Sequence, residues 1–82
     1  MVEVADLTLY VVRNCPLCSH AKSWLETHAI PYVERDVADD WGALRVMVKL
    51  THQRLVPVVE YGGRAMVRPS DDELKDLVSR AR

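Results

Sequence analysis

Cys15 and Cys18 are the only cysteines of the chain, and they share the stretch NCPLCSH at residues 14–20, with Pro16 and Leu17 between them. Sulfurs at this spacing can supply half a zinc site, a structural disulfide or a catalytic dithiol. Zinc needs four ligands, and no second C-x-x-C or H-x-x-x-H pair accompanies the first. His20, His28 and His52 are scattered along the chain. Two cysteines are also too few for a disulfide framework. The N-terminal MVEVADLTLY carries acidic residues and no basic n-region, so it does not read as a signal peptide. The expected compartment is therefore the cytoplasm, whose reducing poise makes a permanent disulfide unusual and a reversible one the better reading.

The elements around the pair give the two sulfurs unequal roles. Leu7–Val12 is β-branched and aromatic enough for a largely buried strand, and Arg13-Asn14 turn the chain after it. Pro16 suits the first helical position, where its missing N–H would have had no partner. Leu17, Ala21, Trp24, Leu25 and His28 recur at helical spacing, which predicts a helix from Pro16 to Ala29. Cys15 then occupies the N-cap, where a thiolate accepts amide hydrogen bonds and faces the positive end of the helix dipole. Arg13 can add a positive charge. All three effects are expected to depress the Cys15 pKa, whereas Cys18 lies almost one turn further in without the dipole advantage. The expected assignment is Cys15 as nucleophile and Cys18 as resolving thiol.

Downstream, Pro31 opens a second strand at Tyr32–Val37, and Asp39 and Asp40 are candidate caps for a second helix. Trp41, Leu44, Val48 and Thr51 share one face of that helix, with Met47 and Leu50 beside them, and Gly42 weakens its start. Val56–Tyr61 reads as a third strand, and Gly62-Gly63 turn the chain into a fourth at Arg64–Val67. Ser70 and Glu73 form a capping box for a last helix. Its apolar face is Leu74, Leu77, Val78 and Ala81, with Arg80 and Arg82 at the negative end. The order β-α-β-α-β-β-α predicts an α/β fold: a four-stranded mixed sheet flanked by three helices, with strands one and two parallel and strands three and four antiparallel.

Composition narrows the partners. The 82 residues are expected to form one domain, apolar enough at 49% for a globular core. Eleven Lys and Arg against 12 Asp and Glu leave a net charge of −1 and no electrostatic case for nucleic acid. The apolar runs are too short to cross a bilayer. Pro57 has two readings: the start of an edge strand, or a cis Val56-Pro57 bond that leaves the Val56 backbone free to pair with an extended thiol substrate.

Taken together, LYVVRNCPLCSHAKSWLE and LTHQRLVPVVEYGGRAMVRPSDDELKDL resemble the glutaredoxin family of the thioredoxin fold. The shared features are strand-C-P-x-C-helix, the V-P before a hairpin, and an acidic-started closing helix. The resemblance implies a cis Pro57 and a Val56 that binds substrate backbone. It implies that Arg13, with Gln53 or Arg54, lies near a glutathione carboxylate, and that Ser70 and Asp71 hold the glutamyl end. Pro16, Leu17 and Leu55 belong to the same substrate site by position. Leu17 replaces the usual Tyr and Leu55 the usual Thr, and Arg68-Pro69 replaces the usual Gly-Gly, where glycines let a glutathione backbone approach closely. Arg-Pro is instead similar to glutaredoxin-like redoxins that take electrons from thioredoxin reductase.

The expected function is thus a monomeric dithiol oxidoreductase with no tightly bound cofactor or metal. It would act on protein or small-molecule disulfides and be recycled by glutathione, by another low-molecular-weight thiol, or by a flavoprotein reductase. A dimeric iron–sulfur-binding glutaredoxin is the alternative from another class, although Pro16 restricts the loop and Cys18 offers Cys15 an intramolecular partner. The half of a glutathione transferase that shares this fold would call for a second, helical domain. Among the remaining residues, Trp24 and Trp41 are expected to pack, and His52 to sit in a turn. His20 is read as an exposed helical histidine or, more sharply, as tuning a thiol.

Overall fold

The computed structural model describes residues 7–80, Arg80 by its backbone alone. The unpatterned start at residues 1–6, the apolar position Ala81 and the charges of Arg80 and Arg82 lie outside the described residues. The elements are β1 (Leu7–Val11), α1 (Pro16–Thr27), β2 (Val33–Asp36), α2 (Trp41–Thr51), β3 (Val58–Tyr61), β4 (Arg64–Val67) and α3 (Asp71–Arg80). The sheet order is β2-β1-β3-β4. β2 runs parallel to β1, β3 antiparallel to β1, and β4 antiparallel to β3. This is the mixed sheet with three helices expected from the element order.

β1 is central, and its register sets Leu9 opposite both Glu34 and Val59. Successive strand residues point to opposite faces, yet Leu9, Tyr10 and Val11 are all buried, so both faces of the sheet are covered. Such coverage keeps the end of β1, where the cysteines begin, from shifting. The β3–β4 hairpin turns on Gly62 and Gly63, both at positive φ, as a two-residue turn matched to strand twist requires.

Each helix starts on a local cap. Cys15 caps α1, and Asp40 rather than Asp39 caps α2, its Oδ1 accepting from the Ala43 amide at 3.0 Å. Ser70 and Glu73 close the box on α3, with Ser70 N to Glu73 Oε1 at 2.9 Å and Glu73 N to Ser70 Oγ at 3.2 Å. α1 ends two residues earlier than its periodicity suggests. Ala29 takes a positive φ of 55° and the Ile30 amide reaches back to the Leu25 carbonyl, a six-residue closure that satisfies the helix end. His52 ends α2 in the same left-handed conformation and is the turn residue expected.

Two expectations about packing change. Leu17, placed on the inner face of α1 by spacing, is 51% exposed, because the inward face of the helix runs through Cys18, Ala21 and Leu25. Helix α2 is rotated relative to its predicted face: Ala43 and Met47 are fully buried, whereas Trp41 is 71% exposed and Leu50 is also outside. The helix is apolar on more than one side, so periodicity could not choose between seams; the small Ala43 settles it by letting the backbone approach the core. Trp24 does pack, half-buried against the core and stacked on His28 with ring centroids 4.0 Å apart. The α2 geometry has a measurable consequence. Met47→Ala should cost about 2–5 kcal/mol in chemical denaturation, while Trp41→Ala should stay within about 0.5 kcal/mol. Comparable losses for the two variants would contradict this seam.

Candidate functional site

The chain leaves β1 through Arg13 and Asn14, the latter at φ 56°, a left-handed conformation that Asn tolerates better than most residues. That turn sets Cys15 at the N-cap in extended backbone, followed by Pro16 in the first turn. The Cys15 Sγ accepts the Cys18 amide at 3.2 Å. Cys15 is half-buried and Cys18 fully so, and both are free thiols.

The two sulfurs ionise very differently. Burial opposes ionisation of Cys15, but hydrogen bonds from the Cys18 thiol and from the Cys18 and Leu17 amides, together with the Arg68 charge, outweigh it and set the pKa below the ordinary thiol value. Cys18 is pushed up to about 11, first by burial and then by donating its hydrogen bond to Cys15 and by the charge of that neighbour. One thiol is therefore the easier to ionise, and the other is held protonated as a donor one turn behind it.

The cation that acts on the thiols is Arg68, a residue sequence reasoning noted only as a departure from Gly-Gly. Arg13 instead pairs with Asp39, and its Nε lies 3.8 Å from Asp36. His20 does not reach the sulfurs; its Nε2 lies 2.8 Å from Asp71 Oδ1, tying α1 to the start of α3. No signal in its neighbours marks that role: Arg68 follows β4, and its acceptor lies 12 residues back at Val56, a pairing that only the fold makes.

The Val56-Pro57 bond is cis. β3 begins at Val58 rather than Val56, since Pro57 has no N–H to give to a ladder. The Val56 carbonyl, expected to be free for substrate, accepts Arg68 Nε at 2.8 Å. Leu55 is 45% exposed beside it, and Gln53 is exposed in the same loop, its carbonyl accepting from the Thr51 hydroxyl. Arg54 lines a separate open groove along α2 with Trp41 and Lys49. Of the other implied contacts, Ser70 is engaged with Glu73 and Asp71 with His20.

A cleft of about 350 Å³ opens beside the sulfurs toward β2, lined by Arg13, Cys15, Cys18, Lys22, Glu34 and Asp36. Lys22 and Glu34 pair across it at 3.1 Å. The cis proline and Arg68 adjoin β3 and β4, so the thiols are flanked on both sides of β1. Among the described residues no helix is long and apolar enough to cross a membrane.

Comparison with known proteins agrees with this geometry. Residues 7–66 match the family model for glutaredoxin. A glutaredoxin-like 8.6 kDa protein of Clostridium pasteurianum, from a rubredoxin operon, is 30% identical over 74 residues, covering 90% of this chain and 99% of its own length. Among solved structures, glutaredoxin grx-1 of Archaeoglobus fulgidus superposes with a TM-score of 0.83 at 18% identity, covering 92% of this chain and 87% of the other. A buckwheat glutaredoxin–glutathione complex gives 0.68 at 19% identity, covering 93% and 70%. At these identities the structural likeness speaks for the fold. Paired thiols in this setting give the protein thiol redox chemistry. A family match over most of the chain and a relative matched along nearly its whole length settle its membership: the chain belongs to the glutaredoxin family.

Proposed function

We propose that the protein is a cytoplasmic dithiol oxidoreductase that reduces protein or low-molecular-weight disulfides. The observation that carries this reading is the unequal placement of two free thiols, Cys15 at the helix N-cap accepting the Cys18 amide at 3.2 Å and Cys18 buried behind it, which favours the anion of the first and the protonated form of the second. The Cys15 thiolate attacks one sulfur of a substrate disulfide, forms a mixed disulfide and expels the other sulfur as a thiolate, which takes up a proton. Cys18 then attacks the Cys15 sulfur, closes the Cys15–Cys18 disulfide and releases the second thiol, its own proton passing to that leaving group. Two electrons and the Cys18 proton have moved from the protein to the substrate, and the second proton has come from solvent. An external donor must return them.

For that donor we favour a flavoprotein reductase of the thioredoxin reductase type over glutathione. The buckwheat glutaredoxin was crystallised with glutathione, which makes it the first small thiol to test. Yet the groups that would hold glutathione have other partners in this chain: Arg13 has Asp39, Ser70 has Glu73, Asp71 has His20, and the Val56 carbonyl has Arg68. Turnover of a model disulfide should be faster with thioredoxin reductase and NADPH than with glutathione, glutathione reductase and NADPH. The reverse order would return glutathione as the donor, and no turnover with either or with dithiothreitol would overturn the oxidoreductase reading.

A further inference from the structure

We propose that Arg68 is a specificity gate: its guanidinium occupies the Val56 carbonyl, the backbone acceptor beside the thiols, and must leave before a peptide-like disulfide can pair there. The inference rests on the dithiol reading above and adds to it which disulfides are admitted.

The geometry begins with the hairpin register. Val58 pairs with Val67, so the next position sets Pro57 against Arg68, and the Arg68 amide does donate to the Pro57 carbonyl at 2.8 Å. There the strand stops. Arg68 takes φ 47°, a left-handed conformation that residues with a Cβ avoid, and the turn folds its side chain back across the strand end. Nε then meets the Val56 oxygen at 2.8 Å. Glycine would adopt this backbone more easily, so an arginine held here against its preference points to a task for the side chain. Val56 is buried as a residue, and Arg68 is the side-chain donor on its carbonyl. The same arginine is close enough to both cysteines for its charge to favour their ionised forms.

An extended substrate bound by its cysteine backbone would donate an N–H to the Val56 carbonyl, and Arg68 already donates there. The oxygen has two lone pairs, and the gate consists in the folded-back guanidinium covering the approach to both, so such a substrate exchanges one hydrogen bond for another and gains little. A disulfide without peptide groups does not need that carbonyl and loses nothing to the gate. Discrimination of this kind follows from which donors are already satisfied.

Two neutral probes separate the cases, since neither is drawn by the arginine charge. One is the disulfide of N-acetylcysteinamide, which carries peptide groups; the other is 2-hydroxyethyl disulfide, which carries none. Fully reduced protein is mixed with each, and the second-order rate of its oxidation is measured. Their ratio cancels the fraction of Cys15 present as thiolate. Arg68→Gly should raise the peptide-to-hydroxyethyl ratio about three- to tenfold, the worth of one hydrogen bond. An unchanged ratio overturns the gate, because a purely structural arginine would slow or speed both probes alike. A second readout does not depend on activity. In the Cys18→Ser protein, Cys15 is capped with N-acetylcysteinamide or with mercaptoethanol by activated reagents, and the Arg68 Nε–H signal is followed by NMR. Expected is loss of its protection from solvent exchange with the first cap and retention with the second. Protection retained under both caps overturns the proposal. Wild-type protein that reduces neither probe would instead refute the dithiol reading, and the NMR result would still decide the gate.

Discussion

Replacing Cys15 with serine should abolish disulfide reduction, lowering the rate by at least about 10³-fold. A serine hydroxyl at the N-cap still accepts the Cys18 amide, so the helix start and the fold survive. What disappears is the one sulfur that ionises readily, because Cys18 is buried and titrates near 11. Cys18→Ser should behave differently. Its backbone amide and a hydroxyl donor stay in place beside Cys15, so the first attack proceeds and the reaction halts at the mixed disulfide. Intact-mass measurement after mixing with glutathione disulfide should show Cys18→Ser carrying one glutathione and Cys15→Ser carrying none. An equally active Cys15→Ser protein, or an adduct on Cys18, would reverse the assignment of roles.

Alkylation should separate the same two thiols by pH. Cys15 titrates below the ordinary 9.0 and Cys18 near 11, so below both values the thiolate populations differ by at least about a hundredfold, one decade per pH unit. The sign follows from each partner set. Amides, the Cys18 hydrogen bond and the Arg68 charge favour the anion of Cys15, so its reactivity rises with pH early and then levels. Burial and the neighbouring anion oppose ionisation of Cys18, so its reactivity rises only in strong alkali. Iodoacetamide at pH 7 should label Cys15 alone, with a midpoint below that of a free cysteine peptide. Labelling of both at similar rates would mean that the cap does not select. Arg68→Gly should move the Cys15 midpoint upward, since the arginine charge is one of the influences holding it down.

These expectations bear on the electron donor as well. A Cys15 thiol whose ionisation is favoured by its own helix and by Arg68 needs no substrate group to favour it, so under the proposed function the thiol chemistry does not depend on contacts to a tripeptide. The redox pair and the recognition surface are thus separable within this small fold. Leu17, between the two cysteines, and Leu55, next to Val56 in the chain, are both exposed.

Much of the site was legible in the chain because its causes are local. A cap joins residues three apart, as in Cys15 to Cys18 and Ser70 to Glu73, so their positions in the sequence already imply the hydrogen bond. Strand, C-P-L-C and helix follow one another without interruption, so the cap that favours the Cys15 anion is local, while burial of Cys18 and the Arg68 charge add the rest of the inequality. The Gly62-Gly63 hairpin and the order of seven elements were set in the same way. What the tertiary structure decided were the partners of long charged side chains and the seam of an ambiguous helix. Arg13 finds Asp39, 26 residues on, His20 finds Asp71, 51 residues on, and Arg68 turns back 12 residues to Val56. A flexible cation several ångströms long has many acceptors within reach of its sequence neighbours, and only the folded sheet says which lies within hydrogen-bonding distance. Helix α2 is apolar on several sides, so its inward face depends on how closely Ala43 lets it approach the core, leaving Trp41 in solvent. The chemistry of the sulfurs was written in neighbouring residues; the access to them was settled by residues brought together from distant parts of the chain.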